Sequence, residues 1–113
     1  SKEAVYYIVG SLFALNPVPG GTSNMGDVFK KLKSLTNSES MEHRFAALLK
    51  CHREELPDHL RHAVSLAASK NISIDWHRLF IDIQRWSWES RRVQKDWAQS
   101  FWGVEPEKEN EPL

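Results

Sequence analysis

Apolar residues recur every three or four positions along most of this chain, the spacing that lines one face of an α-helix. Val5, Ile8, Val9, Leu12, Phe13 and Leu15 predict a first helix over residues 2–15. The run Asn16-Pro17-Val18-Pro19-Gly20-Gly21 then breaks the chain firmly. A short second helix is expected from about Met25 to Leu35, with Val28, Phe29, Leu32 and Leu35 inward and Lys30, Lys31 and Lys33 largely outward. Thr36 followed by Glu39 has the spacing of a capping box and predicts the start of a third helix. Met41, Phe45, Leu48 and Leu49 form its stripe, and it reaches about Cys51.

Pro57 suits the first turn of a fourth helix, where its missing N–H costs nothing. That helix carries Leu60, Ala63, Val64, Ala67 and Ala68 and stops near Asn71. Asp75 is a good N-cap for the fifth, whose inward face is Trp76, Leu79, Phe80, Ile83 and Trp86. A turn near residues 87–90 leads to a last helix with Val93, Trp97 and Phe101 one turn apart. Gly103 is placed as its stop. The expectation is an all-α fold: one bundle of about six helices over residues 1–103, without strands or internal repeats. Residues 104–113 are charged, contain Pro106 and Pro112, and are expected to form a disordered acidic tail. The chain starts inside a helical pattern, so it is expected to be a piece of a longer protein.

Composition narrows the class. The 113 residues are 41% hydrophobic and 27% charged, which suits a soluble globular domain with one core. The formal net charge of zero conceals an uneven spread. Residues 1–103 carry 14 Lys/Arg against 11 Asp/Glu, whereas Lys108 faces Glu105, Glu107, Glu109 and Glu111 in the tail. A mildly basic body therefore stands before an acidic tail, and overall charge does not argue against a polyanionic partner. Cys51 is the only cysteine, so no intrachain disulfide forms and a reducing, intracellular setting is expected. No apolar run approaches the ~20 residues that span a bilayer, so no membrane partner is expected.

Enzyme signatures are absent. There is no phosphate-cradling glycine loop, no G-x-S-x-G and no H-E-x-x-H. Cys51 and His52 are neighbours, and successive helical residues point about 100° apart, outside the reach of a nucleophile–base pair. His59 and His62 with Asp58 fall short of the four ligands of a structural zinc site. No catalytic residue, metal or cofactor is expected. Basic positions say more. Arg91 and Lys95 sit at i, i+4, a like-charge pair that costs a helix a few tenths of a kcal/mol and invites an external anion. Arg92 and Asp96 share that spacing with opposite sign and can simply pair, as can Arg78, Asp82 and Arg85. From composition alone the chain is a helical domain with a mildly basic body.

The ordered set of segments is more specific than any one of them. Leu12-Phe13-Ala14-Leu15-Asn16-Pro17, Asn24-Met25-Gly26 and Glu42-His43-Arg44-Phe45-Ala46-Ala47-Leu48-Leu49 come first. Leu56-Pro57-Asp58-His59-Leu60-Arg61, Ile74-Asp75-Trp76 and Arg85-Trp86 follow, then Arg91-Arg92-Val93-Gln94-Lys95-Asp96-Trp97-Ala98 and Phe101-Trp102-Gly103. Across nearly all of residues 10–103 this order resembles the small (CasB-type) subunit of the type I-E CRISPR surveillance complex, Cascade.

The resemblance implies a non-catalytic, all-α, cytoplasmic subunit in antiviral defence, and a further N-terminal helical segment of the family that is missing or shortened here. Its implied partners are the other Cascade subunits, a second copy of itself, crRNA, and the target and displaced DNA strands of the R-loop. Carried over position by position, the nucleic-acid-binding residues it implies are Arg44 in the E-x-R-F-like motif, Lys50 and Arg53 just after it, and Arg61 after L-P-x-x-L. Arg91 and Arg92 open the final helix, with Lys95 one turn on. Asp27 departs from the pattern, standing where the family often has a basic residue; Lys30, Lys31 and Lys33 are the candidates to compensate. Such a surface would neutralise phosphates without reading bases. Trp76, Trp86 and Trp97 are expected in the core, and Trp88 and Trp102 at an interface. Two other readings stand beside this one: a helical scaffold that binds only protein, and a helix-turn-helix regulator using residues 75–87 and 89–102.

Overall fold

The computed structural model describes residues 2–103, and the expected acidic tail lies outside the described residues. Six helices follow one another: α1 (Lys2–Phe13), α2 (Met25–Thr36), α3 (Glu39–Lys50), α4 (Leu56–Ser69), α5 (Trp76–Gln84) and α6 (Arg92–Trp102). A single 3-10 turn, Arg53–Glu55, leads into α4. No strand occurs among the described residues. The fold is all-α, as the periodicity predicts.

Local chemistry sets most of the boundaries. The Asn24 side chain accepts the Asp27 backbone N–H at 3.1 Å, satisfying one of the four free donors at the start of α2. Asp27 lies in that first turn, where its carboxylate complements the positive end of the helix dipole. Asp75 caps α5 in the same way, accepting from Arg78 N–H at 3.0 Å. Gly103 ends α6 in a left-handed conformation (φ 68°), its N–H returning to Gln99.

Several expectations need correction. The capping box at Thr36 does not form, because Thr36 is the last residue of α2 and its hydroxyl donates back to the Leu32 carbonyl at 2.6 Å. Asn37 takes the left-handed conformation that stops α2, and Ser38 precedes α3 without a side-chain cap. The reciprocal Glu contact appears instead at Glu55, whose carboxylate accepts the His52 N–H at 2.8 Å. Leu35 is exposed rather than inward. α1 stops at Phe13, two residues short of the expected end, as residues 14–15 tighten into a turn before buried Asn16. α5 is shorter than its apolar pattern: Trp86 falls in the turn after it, yet its ring is still buried.

The core joins two groups of helices. α2 packs most extensively on α6 and also on α3, while α1 packs on α5 and α4; α4 touches α1, α2 and α3. Phe29, Phe45 and Phe101 form a ladder with ring centroids 5.1 and 4.4 Å apart, and Trp86 meets Trp97 at 5.0 Å. Each such fully buried side chain stabilises the fold by roughly 1.5–3 kcal/mol. Gly26 makes the α2–α6 contact close: a Cβ there would collide with the Trp97 carbonyl oxygen and lie 2.8 Å from its carbonyl carbon. Buried Asn16 stitches the proline loop to α4 and the segment after it, donating to the Val64 and Ile72 carbonyls at 3.2 and 3.0 Å. Trp76 is only half-buried, its ring edge-on to Phe13 and its indole N–H on the Asn16 carbonyl. It is therefore a flank of the core and not its centre.

Candidate nucleic-acid interface

The C-terminus of α3 is where one of the cationic positions, Arg91, is anchored. The last carbonyls of a helix have no partner within it and must find donors elsewhere. Here Cys51 N–H takes the Leu48 carbonyl at 3.2 Å, and the Arg91 guanidinium donates to the Leu49 carbonyl. Trp86 Nε1 donates to the Cys51 carbonyl at 2.9 Å. The turn that opens α6 is thus docked onto the end of α3, and Arg91 stands beside the exposed Lys50. Arg91 holds its position through a left-handed backbone (φ 57°) at the N-cap of α6. Lys95, one turn along, donates its backbone N–H to the Arg91 carbonyl at 3.0 Å and exposes its side chain.

The other sequence-derived positions are less closely joined. Arg92 is exposed but bonded to Asp96, Nε to carboxylate at 3.1 Å, as its spacing allows. Exposed ion pairs of this kind contribute about 0–1 kcal/mol, so a phosphate can compete for Arg92 at small cost. Arg44 is exposed on α3 and Arg61 on α4. Arg53, in the 3-10 turn, is half-buried and leans toward α1, lining shallow grooves with Val5, Gln84 and Ile8. Among the described residues no carboxylate pairs with Arg44, Lys50, Arg53, Arg61, Arg91 or Lys95. Arg91 is tied to the end of α3 at Leu49, the residue before Lys50; Lys95 follows one turn along α6, while Arg44 stands on α3, Arg53 in the 3-10 turn and Arg61 on α4.

Sequence reasoning missed the second role of Arg91, that of capping another helix. It also missed the neutralisation of Lys33. The Lys33 ammonium meets Glu42 at 2.7 Å and lies over the Phe101 ring, while Trp102 Nε1 donates to the other Glu42 oxygen at 3.2 Å. The Lys33 and Trp102 donors hold the Glu42 carboxyl below its usual range, and Glu42 raises Lys33 in return. Of the three α2 lysines, Lys30 and Lys31 remain exposed and without a carboxylate partner among the described residues. An open cleft of about 470 Å³ lies between Lys30, Lys33, Asn37 and Trp102.

Two buried acids complete the electrostatics. Burial pushes the Cys51 thiol up to about 11, with Glu55 adding to the effect, so its nucleophilic form is scarce near neutrality. Burial also raises Asp82 above the ordinary aspartate value, opposed by hydrogen bonds from Trp97 Nε1 at 2.8 Å and Arg78 Nε at 3.4 Å. Asp82 ties α5 to α6 and has a structural reading. No helix among the described residues is long and apolar enough to cross a membrane.

Fold and surface together define an all-α protein in which an exposed arginine at the opening of α6 is anchored on the end of α3. The family model described as CRISPR-associated protein Cse2 matches residues 1–102. A CRISPR-associated protein Cse2 of Thermus thermophilus is 34% identical over 115 residues, covering 97% of this chain and 64% of that protein. The crystal structure of M. ruber CasB matches with a TM-score of 0.76 at 31% identity, covering 94% of this chain and 66% of the other. CasB from Thermus thermophilus matches with a TM-score of 0.74 at 32% identity, covering 88% and 61%. The chain belongs to the CRISPR-associated Cse2 family, in agreement with the CasB-type resemblance of its motifs. It spans less than two thirds of the length of these relatives.

Proposed function

We propose that this chain is a non-catalytic subunit of the CRISPR Cascade surveillance complex, acting in the cytoplasm with the other Cascade subunits and a second copy of itself. In this reading it binds nucleic acid through a basic surface and stabilises the R-loop between crRNA and target DNA. The observation that supports it most is the Arg91 contact with the Leu49 carbonyl, which fixes the opening of α6 against the end of α3, where Lys50 follows Leu49; Lys50, Arg91 and Lys95 have no carboxylate partner among the described residues. Cations held this way neutralise phosphates of any sequence and release counterions, while guide–target pairing supplies the specificity. Arg92, and more remotely Arg44, Arg53 and Arg61, extend the cationic surface. Family membership supports the assignment to Cascade.

The helix-turn-helix alternative is disfavoured by α6, whose Val93, Trp97 and Phe101 face is buried in the bundle. The protein-only scaffold is separated by experiment. Cascade is reconstituted with crRNA and bound to target DNA, with and without this chain, and dissociation of the target is timed. Faster dissociation without the chain is expected; equal rates contradict the proposal.

A further inference from the structure

Five tryptophans lie within the described residues, and four share a pattern. Trp76, Trp86, Trp97 and Trp102 each pack against another aromatic ring. Each also donates its indole N–H to an acceptor: the Asn16 carbonyl, the Cys51 carbonyl, the Asp82 carboxylate and the Glu42 carboxylate respectively. Trp88 has neither. It is 51% exposed, and its one ring contact is the Arg85 guanidinium, 5.0 Å from the centroid. A large apolar ring left half in water contributes little to this fold, since indoles stabilise by being buried and hydrogen-bonded.

Its position, by contrast, is well set. The Trp88 N–H bonds to the Arg85 carbonyl and the Arg91 N–H to the Trp88 carbonyl, both at 3.1 Å. Trp88 therefore sits one tight turn before Arg91, the residue that anchors the start of α6 to α3. A guanidinium over an indole is held by the ring quadrupole and restrains the side chain, so little rotamer freedom remains to be lost on binding. Arg85 occupies one part of the ring, and the exposed half is open to a second flat partner. The charges around the turn are Arg85, Arg91, Arg92 and Lys95 against Glu89 and the Arg92-paired Asp96.

We propose that Trp88 is a stacking platform for an unpaired nucleobase, braced by Arg85, with Arg91 and Lys95 placed to meet the flanking phosphates. The inference rests on the nucleic-acid reading above and adds its strand class. A duplex keeps its bases covered, so the ligand is single-stranded DNA or RNA with bases free to splay. Stacking on an aromatic side chain strengthens binding about 5- to 100-fold per base and tolerates any sequence, as a guide-directed complex requires.

The test separates stacking from charge. Binding of the full chain to a labelled oligothymidylate is measured across a salt series and extrapolated to 1 M salt, where counterion release no longer contributes. Trp88→Ala, checked for retained helicity, is expected to leave the salt slope unchanged and to weaken the 1 M affinity at least about 5-fold. Trp88→Phe is expected to restore most of that affinity while removing most of the binding-induced quenching of tryptophan emission. Unchanged 1 M affinity in Trp88→Ala, or full quenching in Trp88→Phe, overturns the stacking role. If Arg91→Ala lowers the slope while Trp88→Ala changes nothing, the nucleic-acid reading survives and this inference alone falls. Absence of salt-dependent binding by the unmodified chain overturns both.

Discussion

Replacing Gly26 with alanine perturbs the close approach of α2 to α6. The added Cβ would run into the Trp97 carbonyl oxygen and lie 2.8 and 2.9 Å from the carbonyl carbon and Cα of the same residue. All three are backbone atoms of α6, so no side-chain rotation relieves the collision; α6 must retreat from α2 by about 1 Å to restore the ~3.5 Å of an optimal contact. Gly26 and its neighbours Val28 and Phe29 are buried, as are Val93, Trp97 and Phe101 opposite. Overpacking of a tight core costs about 1–3 kcal/mol and falls at the upper end when backbone must move. Helix propensity acts in the other direction, favouring alanine by up to about 1 kcal/mol. The net expectation is destabilisation by about 2 kcal/mol, which lowers Tm by roughly 10 °C in a domain of this size. Gly10→Ala is the matched control. Gly10 lies in α1 with nothing within 4 Å of an added Cβ, so propensity alone should stabilise by about 0.5–1 kcal/mol. Urea unfolding followed by circular dichroism reads both. Equal stability gains in the two variants would refute the close α2–α6 contact.

Asn16→Ala removes the side chain that serves Val64, Ile72 and the Val18 N–H. Losing these three hydrogen bonds, one buried and two part-buried, is expected to cost about 2–4 kcal/mol in urea unfolding; a loss under about 0.5 kcal/mol would show that the groups find other partners. Asp82 has a folded pKa raised by burial, so its contribution to stability is present at low pH and is lost as pH rises through that value. Asp82→Asn should therefore flatten the stability–pH profile from acid to neutral, and a variant profile parallel to the parent's would contradict this. Cys51, buried and with its thiol at about 11, should react slowly with a thiol reagent near pH 7 in the native state and rapidly in urea; equal rates would place it at the surface.

Periodicity made the six helices legible because each has one apolar stripe, and the caps at Asp75 and Gly103 follow from side-chain and backbone chemistry within a few residues. Where two local signals competed, the sequence was ambiguous. Thr36 has the spacing of a helix start, but Asn37, tolerant of the left-handed conformation, ended α2 there. Long-range roles left no periodic trace. Asn16 reads as loop punctuation, yet it binds carbonyls 48 and 56 residues away. Gly26 reads as a weak helix former until Trp97 is seen against it. Among the candidate site residues, charge and motif identified the cations but not their company. The pairing of Arg92 with Asp96 was readable from spacing; the reach of Arg91 to Leu49 and of Lys33 to Glu42 depended on which helices meet.

The salt dependence of single-strand binding tests the cationic group most directly. Lys50, Arg91 and Lys95 are replaced together by glutamine, and the slope of log affinity against log salt is compared with that of the unmodified chain. If all three meet phosphates, the slope should shrink by about two units, at about 0.7 per contact on a single strand. An unchanged slope, with the fold intact by circular dichroism, would mean that these side chains do not face a polynucleotide.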